Sequence, residues 1–121
     1  MSPAARTTRD RQRLERVWKA LASTVRRTIL DLLRDGPRTT GELASEFPKL
    51  TRFAVMQHLR VLEGAELVIP RRDGRERYNY LNPVPIQQLY DRWVVRYMKP
   101  WTEALVSLQT TLETESHEDS A

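Results

Sequence analysis

The chain changes its hydrophobic period once. Between Leu67 and Leu81 apolar residues alternate around Asp73-Gly74, whereas on either side they recur at steps of three and four. Asp-Gly between strand-like runs is a strong hairpin signal, because a tight two-residue turn needs positive φ. A loop of Asp73 and Gly74 pairs 72 with 75, 69 with 78 and 67 with 80. Leu67, Ile69, Tyr78 and Tyr80 then share one face, and Arg72, Arg75 and Arg77 share the other. The implied fold class is mainly α with one β-hairpin.

The helices can be placed from their apolar spacing and their caps. Leu14, Val17, Trp18 and Leu21 fall at i, i+3, i+4 and i+7, so a helix is expected from Asp10. Residues 1–9 show no such period and read as a flexible arm. Ser23 is an N-cap for a second helix with Val25, Ile29, Leu32 and Leu33 inward, stopped by Asp35-Gly36-Pro37. Thr39-Thr40-Gly41-Glu42 has capping-box spacing and opens a third helix that buries Leu43, Ala44 and Phe47 and ends at Pro48. Thr51 caps a fourth, with Val55, Leu59 and Leu62 inward and Gly64 near its end.

Beyond Asn82-Pro83-Val84-Pro85 the helical period returns as a long stripe of Ile86, Leu89, Trp93, Tyr97, Trp101, Leu105, Leu108 and Leu112. Pro100 lies inside the stripe, which implies a bend or break there. The stripe keeps its phase across the proline, which favours the bend. The expected organisation is an arm over 1–9, a compact domain over 10–82, a C-terminal helix over 83–113 and a disordered acidic tail over 114–121.

Composition removes whole classes of chemistry. The 121 residues include no cysteine and only two histidines, His58 and His117, so thiol catalysis and thiolate metal sites are absent. There is no glycine-rich phosphate loop, no triad and no pair of carboxylates placed for acid–base work, so an enzyme is not expected, nor is a cofactor. No apolar run approaches the roughly 20 residues that cross a bilayer, and residues 1–16 lack an apolar signal core. A cytoplasmic protein is expected.

Charge is distributed unevenly. Residues 1–81 carry 17 Lys+Arg against 10 Asp+Glu, a net +7, while residues 82–121 carry 3 against 6, a net −3. A basic front suits a polyanion. The outer face of the fourth helix sharpens this. It carries Arg52, Phe53, Met56, Gln57 and Arg60, with no acid among them. Arginine is a bidentate donor to guanine, glutamine suits adenine, and apolar groups can meet a thymine methyl. Two short helices joined by a tight turn, the second so equipped, describe a helix-turn-helix whose second helix lies in a major groove of double-stranded DNA. Arg72, Arg75 and Arg77 of the hairpin would reach phosphate or minor groove. Thr40 and Thr51 could donate to phosphates from helix starts, although capping alone accounts for them.

At these residues a family resemblance emerges. Ala20–Leu33, Gly41-Glu42-Leu43-Ala44, Val55-Met56-Gln57-His58-Leu59-Arg60-Val61-Leu62, Leu67-Val68 and Arg71-Arg72-Asp73-Gly74-Arg75 together look like the ArsR/SmtB family of bacterial winged helix-turn-helix repressors. The resemblance covers about residues 14–82. It implies a homodimer on operator DNA that usually represses transcription, with the terminal helices pairing the protomers. His58 matches a histidine typical of the family's recognition helix, and its place beside Leu59 favours a structural or phosphate-contacting role over that of a ligand. Metal-sensing members carry Cys-x-Cys after Glu-Leu, or histidine with carboxylates on the last helix. Here Glu42-Leu43 is followed by Ala44-Ser45-Glu46, and the last helix offers Asp91 and Glu103 without histidine. No metal site is expected.

The aromatic stripe reads as packing, within or between protomers. Aromatic side chains bury roughly 150–250 Å² each. Three from each of two chains, with the leucines, reach the roughly 1,200–2,000 Å² of a stable interface. Leu89, Trp93, Tyr97, Trp101, Leu105 and Leu108, joined by Leu14 and Trp18, are therefore the expected dimer seam. That seam is also where a small effector would sit, if one exists. The rival reading is a winged-helix module that binds a protein and not DNA; it would want an acidic or apolar outer face on the fourth helix.

Overall fold

The computed structural model describes the backbone of residues 3–119 and the side chains of residues 7–116. In chain order the elements are α1 (Pro3–Leu21), α2 (Thr24–Leu32), β1 (Arg38–Thr39), α3 (Thr40–Ser45), α4 (Arg52–Gly64), β2 (Val68–Asp73), β3 (Glu76–Leu81), α5 (Val84–Leu89), a π-helical turn (Tyr90–Val94) and α6 (Val95–Asp119). The chain forms two compact units, Met1–Gln87 and Gln88–Ala121. The division falls after Gln87, so the winged unit takes in most of α5, where a boundary at 82/83 was expected.

In the first unit the expected caps are in place. Ser23 Oγ accepts from the amide of Arg26 at 3.3 Å. Thr39 and Glu42 close a full capping box on α3, and Thr51 Oγ1 accepts from the amide of Ala54 at 3.0 Å. Gly36, at φ +141°, turns the chain out of α2 in a conformation that favours glycine. The core is Val17 and Ala20 of α1, Ile29 and Leu30 of α2 with Leu33 at its end, Leu43 of α3, Val55, Leu59 and Leu62 of α4, and Leu67 and Val68.

Helix boundaries differ from expectation at both ends of the chain and in the middle. The arm is helical from Pro3, because α1 runs unbroken through residues 3–9. The acidic tail likewise continues α6 as far as Asp119, and residues 1, 2, 120 and 121 lie outside the described backbone. α3 is shorter than its apolar spacing implied: it ends at Ser45, and Phe47 belongs to the turn. α4 ends at Gly64, as its spacing implied, and a Schellman motif closes it. The Leu67 amide donates to the Leu62 carbonyl at 2.9 Å and the Glu66 amide to the Glu63 carbonyl at 2.9 Å, with Glu66 at φ +63°.

The sheet is three-stranded and antiparallel in the order β1-β3-β2. Its hairpin register differs from the sequence expectation by two residues. Asp73 pairs with Glu76, Arg72 with Arg77 and Ile69 with Tyr80, so Gly74 and Arg75 form the loop. Gly74 has φ +65° while Arg75 is not in the positive-φ region, the pattern of a type II′ turn rather than the I′ turn implied by Asp-Gly. A shift of two preserves the faces, since side chains alternate with period two. The apolar face is not the inner one throughout. Leu67 is buried and Tyr78 half-buried, but Ile69 and Tyr80 are exposed, whereas Val68 and Asn79 on the opposite side are buried.

The terminal segment is helical throughout Val84–Asp119. Pro100 sits inside α6 without breaking it, and a widened turn that the spacing did not announce lies at Tyr90–Val94. Leu89, next to this turn, is buried rather than part of an exposed stripe.

Candidate nucleic-acid interface

The outward aim of α4 is dictated by its inner face. Val55, Leu59 and Leu62 are each 0% exposed. At about 1.5–3 kcal/mol for each such side chain, any roll of α4 about its axis would cost a large part of a small domain's net stability of about 5–15 kcal/mol. Arg52, Phe53, Gln57 and Arg60 are consequently exposed, with Met56 half-buried between them and the core. Phe53 is 67% exposed at the first turn of the helix.

The hairpin stands beside this face. An open cleft of about 580 Å³ lies between Thr39–Glu42 with Arg52 and Met56 on one side and Arg72, Arg75, Glu76 and Arg77 on the other. Four arginines thus line it against two carboxylates, and Glu42 is already engaged by the amide and hydroxyl of Thr39 at 3.4 and 3.0 Å. The surface is cationic and fits the phosphate strand of a nucleic acid.

Two of the expected contact residues are engaged by other side chains of the fold. Thr40 is buried and its hydroxyl accepts from Asn79 Nδ2 at 3.2 Å. Arg77 is half-buried in an ion pair with Glu63 of α4, and its Nε donates to Asn79 Oδ1 at 3.3 Å. Burial, then the positive charge of Arg60, lowers the Arg77 pKa, but a guanidinium keeps its proton. Thr51, Arg72 and Arg75 are exposed as expected. Of the expected seam, Trp18, Trp93, Tyr97, Trp101, Leu105 and Leu108 are exposed and Leu14 is half-buried; Leu89 is not available to a partner.

His58 is a structural residue here. Its Nδ1 lies 3.2 Å from Arg26 Nη1, and because arginine only donates, that nitrogen is the acceptor of a neutral ring. Arg26 also donates to the carbonyls of Ala20 and Lys19, both at 2.8 Å, and so closes the end of α1. Burial first, and Arg26 second, lower the His58 pKa from its ordinary 6.5. Among the described residues no group of three His, Cys, Asp or Glu is placed to hold a metal ion, and His117 lies outside the described side chains.

Comparison with known proteins agrees with this geometry. Residues 21–71 match the helix-turn-helix domain family. The chain is 38% identical over 104 residues to the HTH-type transcriptional regulator Rv2034 of Mycobacterium tuberculosis, across 84% of this chain and 90% of that protein. It is 32% identical to the transcriptional repressor SdpR of Bacillus subtilis, across 70% of this chain and 92% of that protein. Its fold superposes on an ArsR-like transcriptional regulator from Rhodococcus sp. RHA1 with a TM-score of 0.67 at 25% identity, covering 85% of this chain and 93% of that one. The chain belongs to the ArsR family. As an ArsR-family member it is a winged helix-turn-helix, DNA-binding transcriptional regulator and not an enzyme. Among the described residues no helix is long and apolar enough to cross a membrane.

The sequence did not reveal Glu63, Asn79 and Glu66 as site-shaping residues. Glu63 was detectable in principle, as the one acid on α4. Asn79 alternates in phase with Arg77, but nothing local says that this phase faces inward.

Proposed function

We propose that this ArsR-family regulator is a homodimeric repressor that reads an inverted-repeat operator. α4 enters the major groove, with Arg52, Phe53, Met56, Gln57 and Arg60 toward the bases. Arg72 and Arg75 of the wing, with Thr51 at the helix start, hold the backbone. The observation that carries the reading is the exposed, acid-free outer face of α4 beside a cleft lined by four arginines. Two-fold symmetry would set the recognition helices about 34 Å apart, one turn of duplex. The pairing surface is the exposed run of Tyr97, Trp101, Leu105 and Leu108 on α6. Repression is supported by the name of the relative SdpR, a transcriptional repressor.

The test is selection of bound duplexes from a random pool, then titration of two variants. Arg52→Ala should relax preference at one base position by about 1–3 kcal/mol. Arg75→Ala should weaken every duplex alike and reduce the log–log salt slope by about 0.9. Equal, uniform losses from both would refute this division of labour, and no enrichment of any duplex would refute sequence reading altogether.

A further inference from the structure

A polar chain runs beneath the cleft and joins four elements, α4, β3, β1 and α3. Glu63 of α4 pairs with Arg77 of β3. Arg77 Nε donates to Asn79 Oδ1 at 3.3 Å, and Asn79 Nδ2 donates both to the Arg38 carbonyl of β1 and to the Thr40 hydroxyl of α3, each at 3.2 Å. Asn79 is 0% exposed and Thr40 is 3% exposed. An asparagine without solvent must find its partners inside the protein, and here three of them come from different strands or helices. A buried leucine at 79 would fill the volume equally well. What the amide adds is direction: it fixes the angle of β3 against α3, while the ion pair fixes β3 against the last turn of α4.

We propose that Glu63, Arg77 and Asn79 are positioning residues that set the separation of the wing from the recognition helix. Arg77 then acts on DNA through the placement of Arg72 and Arg75, not by touching the duplex. This rests on the DNA-binding reading above. Two bodies that must contact groove and backbone together lose discrimination when one is free to swing, because the wing settles equally well on any sequence.

The experiment compares the full-length protein and its variants on two probes, a duplex obtained by selection with the wild type and a random-sequence duplex of the same length. Glu63→Gln keeps the side-chain shape and releases Arg77. We expect about a tenfold fall in the ratio of selected to random affinity, with random-duplex binding unchanged or stronger, since the protein gains one positive charge. Arg77→Lys keeps the charge and loses the bond to Asn79; it should lower the ratio in the same way and leave the salt slope unchanged. The pair Glu63→Gln with Arg77→Gln restores the net charge and should cost no more in the ratio than either change alone.

If Arg77 contacts phosphate directly, Glu63→Gln strengthens both probes with no loss of ratio, and Arg77→Gln reduces the salt slope by about 0.9. That pattern overturns the proposal and leaves DNA reading intact. A lower thermal midpoint with an unchanged ratio for the folded fraction also overturns it, because the chain would then be structural only. If the wild type itself does not distinguish the probes, the operator reading fails and this inference falls with it.

Discussion

Arg72 and Arg77 are direct cross-strand partners, two guanidinium groups on the same face of a two-stranded wing. Like charges placed opposite each other destabilise a hairpin by roughly 0.2–1 kcal/mol. Glu63 pairs with Arg77 and offsets part of that repulsion, whereas Arg72 stays exposed at the cleft. The part that is not offset is what the wing bears to hold Arg72 there.

Replacement of Arg72 separates that cost from its use. Arg72→Thr removes the repulsion and introduces a good strand former, so the thermal midpoint should rise slightly. Duplex affinity should fall for all sequences, and the log–log salt slope should lose about 0.9. Calorimetry and a salt-titrated binding assay on one preparation check both signs. A fall in both stability and affinity would mean that Arg72 supports the hairpin and that the repulsion is screened.

Glu66 occupies the left-handed position of the Schellman motif that ends α4, at φ +63°, where glycine is the favoured residue. Its backbone carbonyl accepts from Asn82 Nδ2 at 2.8 Å, a bond that glycine would preserve. Glu66→Gly should therefore stabilise the protein by about 0.5–1 kcal/mol, since relief of a non-glycine residue in this conformation outweighs the added freedom of the unfolded chain. Urea denaturation should show a higher midpoint with an unchanged slope. The same change at Gly64's neighbour Glu63 should destabilise, because it removes the Arg77 ion pair.

Stability should depend on pH through His58. Its pKa is lowered in the folded protein by burial and by Arg26, so the folded state prefers the neutral ring. The unfolded chain then binds more protons between the lowered value and about 6.5, and stability rises with pH through that interval. It is fully present above about pH 6.5 and is lost as pH falls toward the folded-state pKa. His58→Gln retains an acceptor for Arg26 and cannot be protonated, so its thermal midpoint should drop less than that of the wild type between pH 7 and pH 5. Identical pH profiles for the two proteins would assign the effect to other groups.

The residues behind these predictions differ in how far the sequence disclosed them. The caps at Ser23, Thr39 and Thr51 were readable because a cap is a local bond between a side chain and an amide three residues on. The inward set of α4 was readable because Val55, Leu59 and Leu62 share one helical face. The turn was not: Asp73-Gly74 permits two registers, and pairing of Arg38 and Thr39 with Asn79 and Tyr78, from 39 to 41 residues away, accompanies the observed one. Nor was the inner face of the wing, since hydrophobicity pointed to Ile69 and Tyr80 whereas the buried side is completed by Asn79 and its three partners. Neither the π-helical turn at Tyr90–Val94 nor the burial of Leu89 leaves a mark in apolar spacing.

Along α6, Tyr97, Trp101, Leu105, Leu108 and Leu112 recur at steps of four, four, three and four, and every one is more than half exposed. In a single copy these side chains would leave an apolar band of a size that water-soluble monomers rarely carry. A second copy laid against the band would bury it isologously, with each Trp101 meeting the same stripe on its partner. Trp101→Glu places a charge in the middle of that surface while leaving the winged unit, Met1–Gln87, unaltered in sequence. Sedimentation should then show a dimer for the wild type and a monomer for the variant at micromolar concentration. The variant's far-ultraviolet circular dichroism should stay close to that of the wild type, because Trp101 is 69% exposed and supports little within its own chain. Affinity for an inverted repeat should fall by at least about a hundredfold, whereas affinity for an isolated half-site should change little, since linking two sites multiplies affinity by about 10²–10⁴. A variant that remains dimeric would move the pairing surface away from α6, and Leu14 and Trp18 of α1 would be the next residues to substitute.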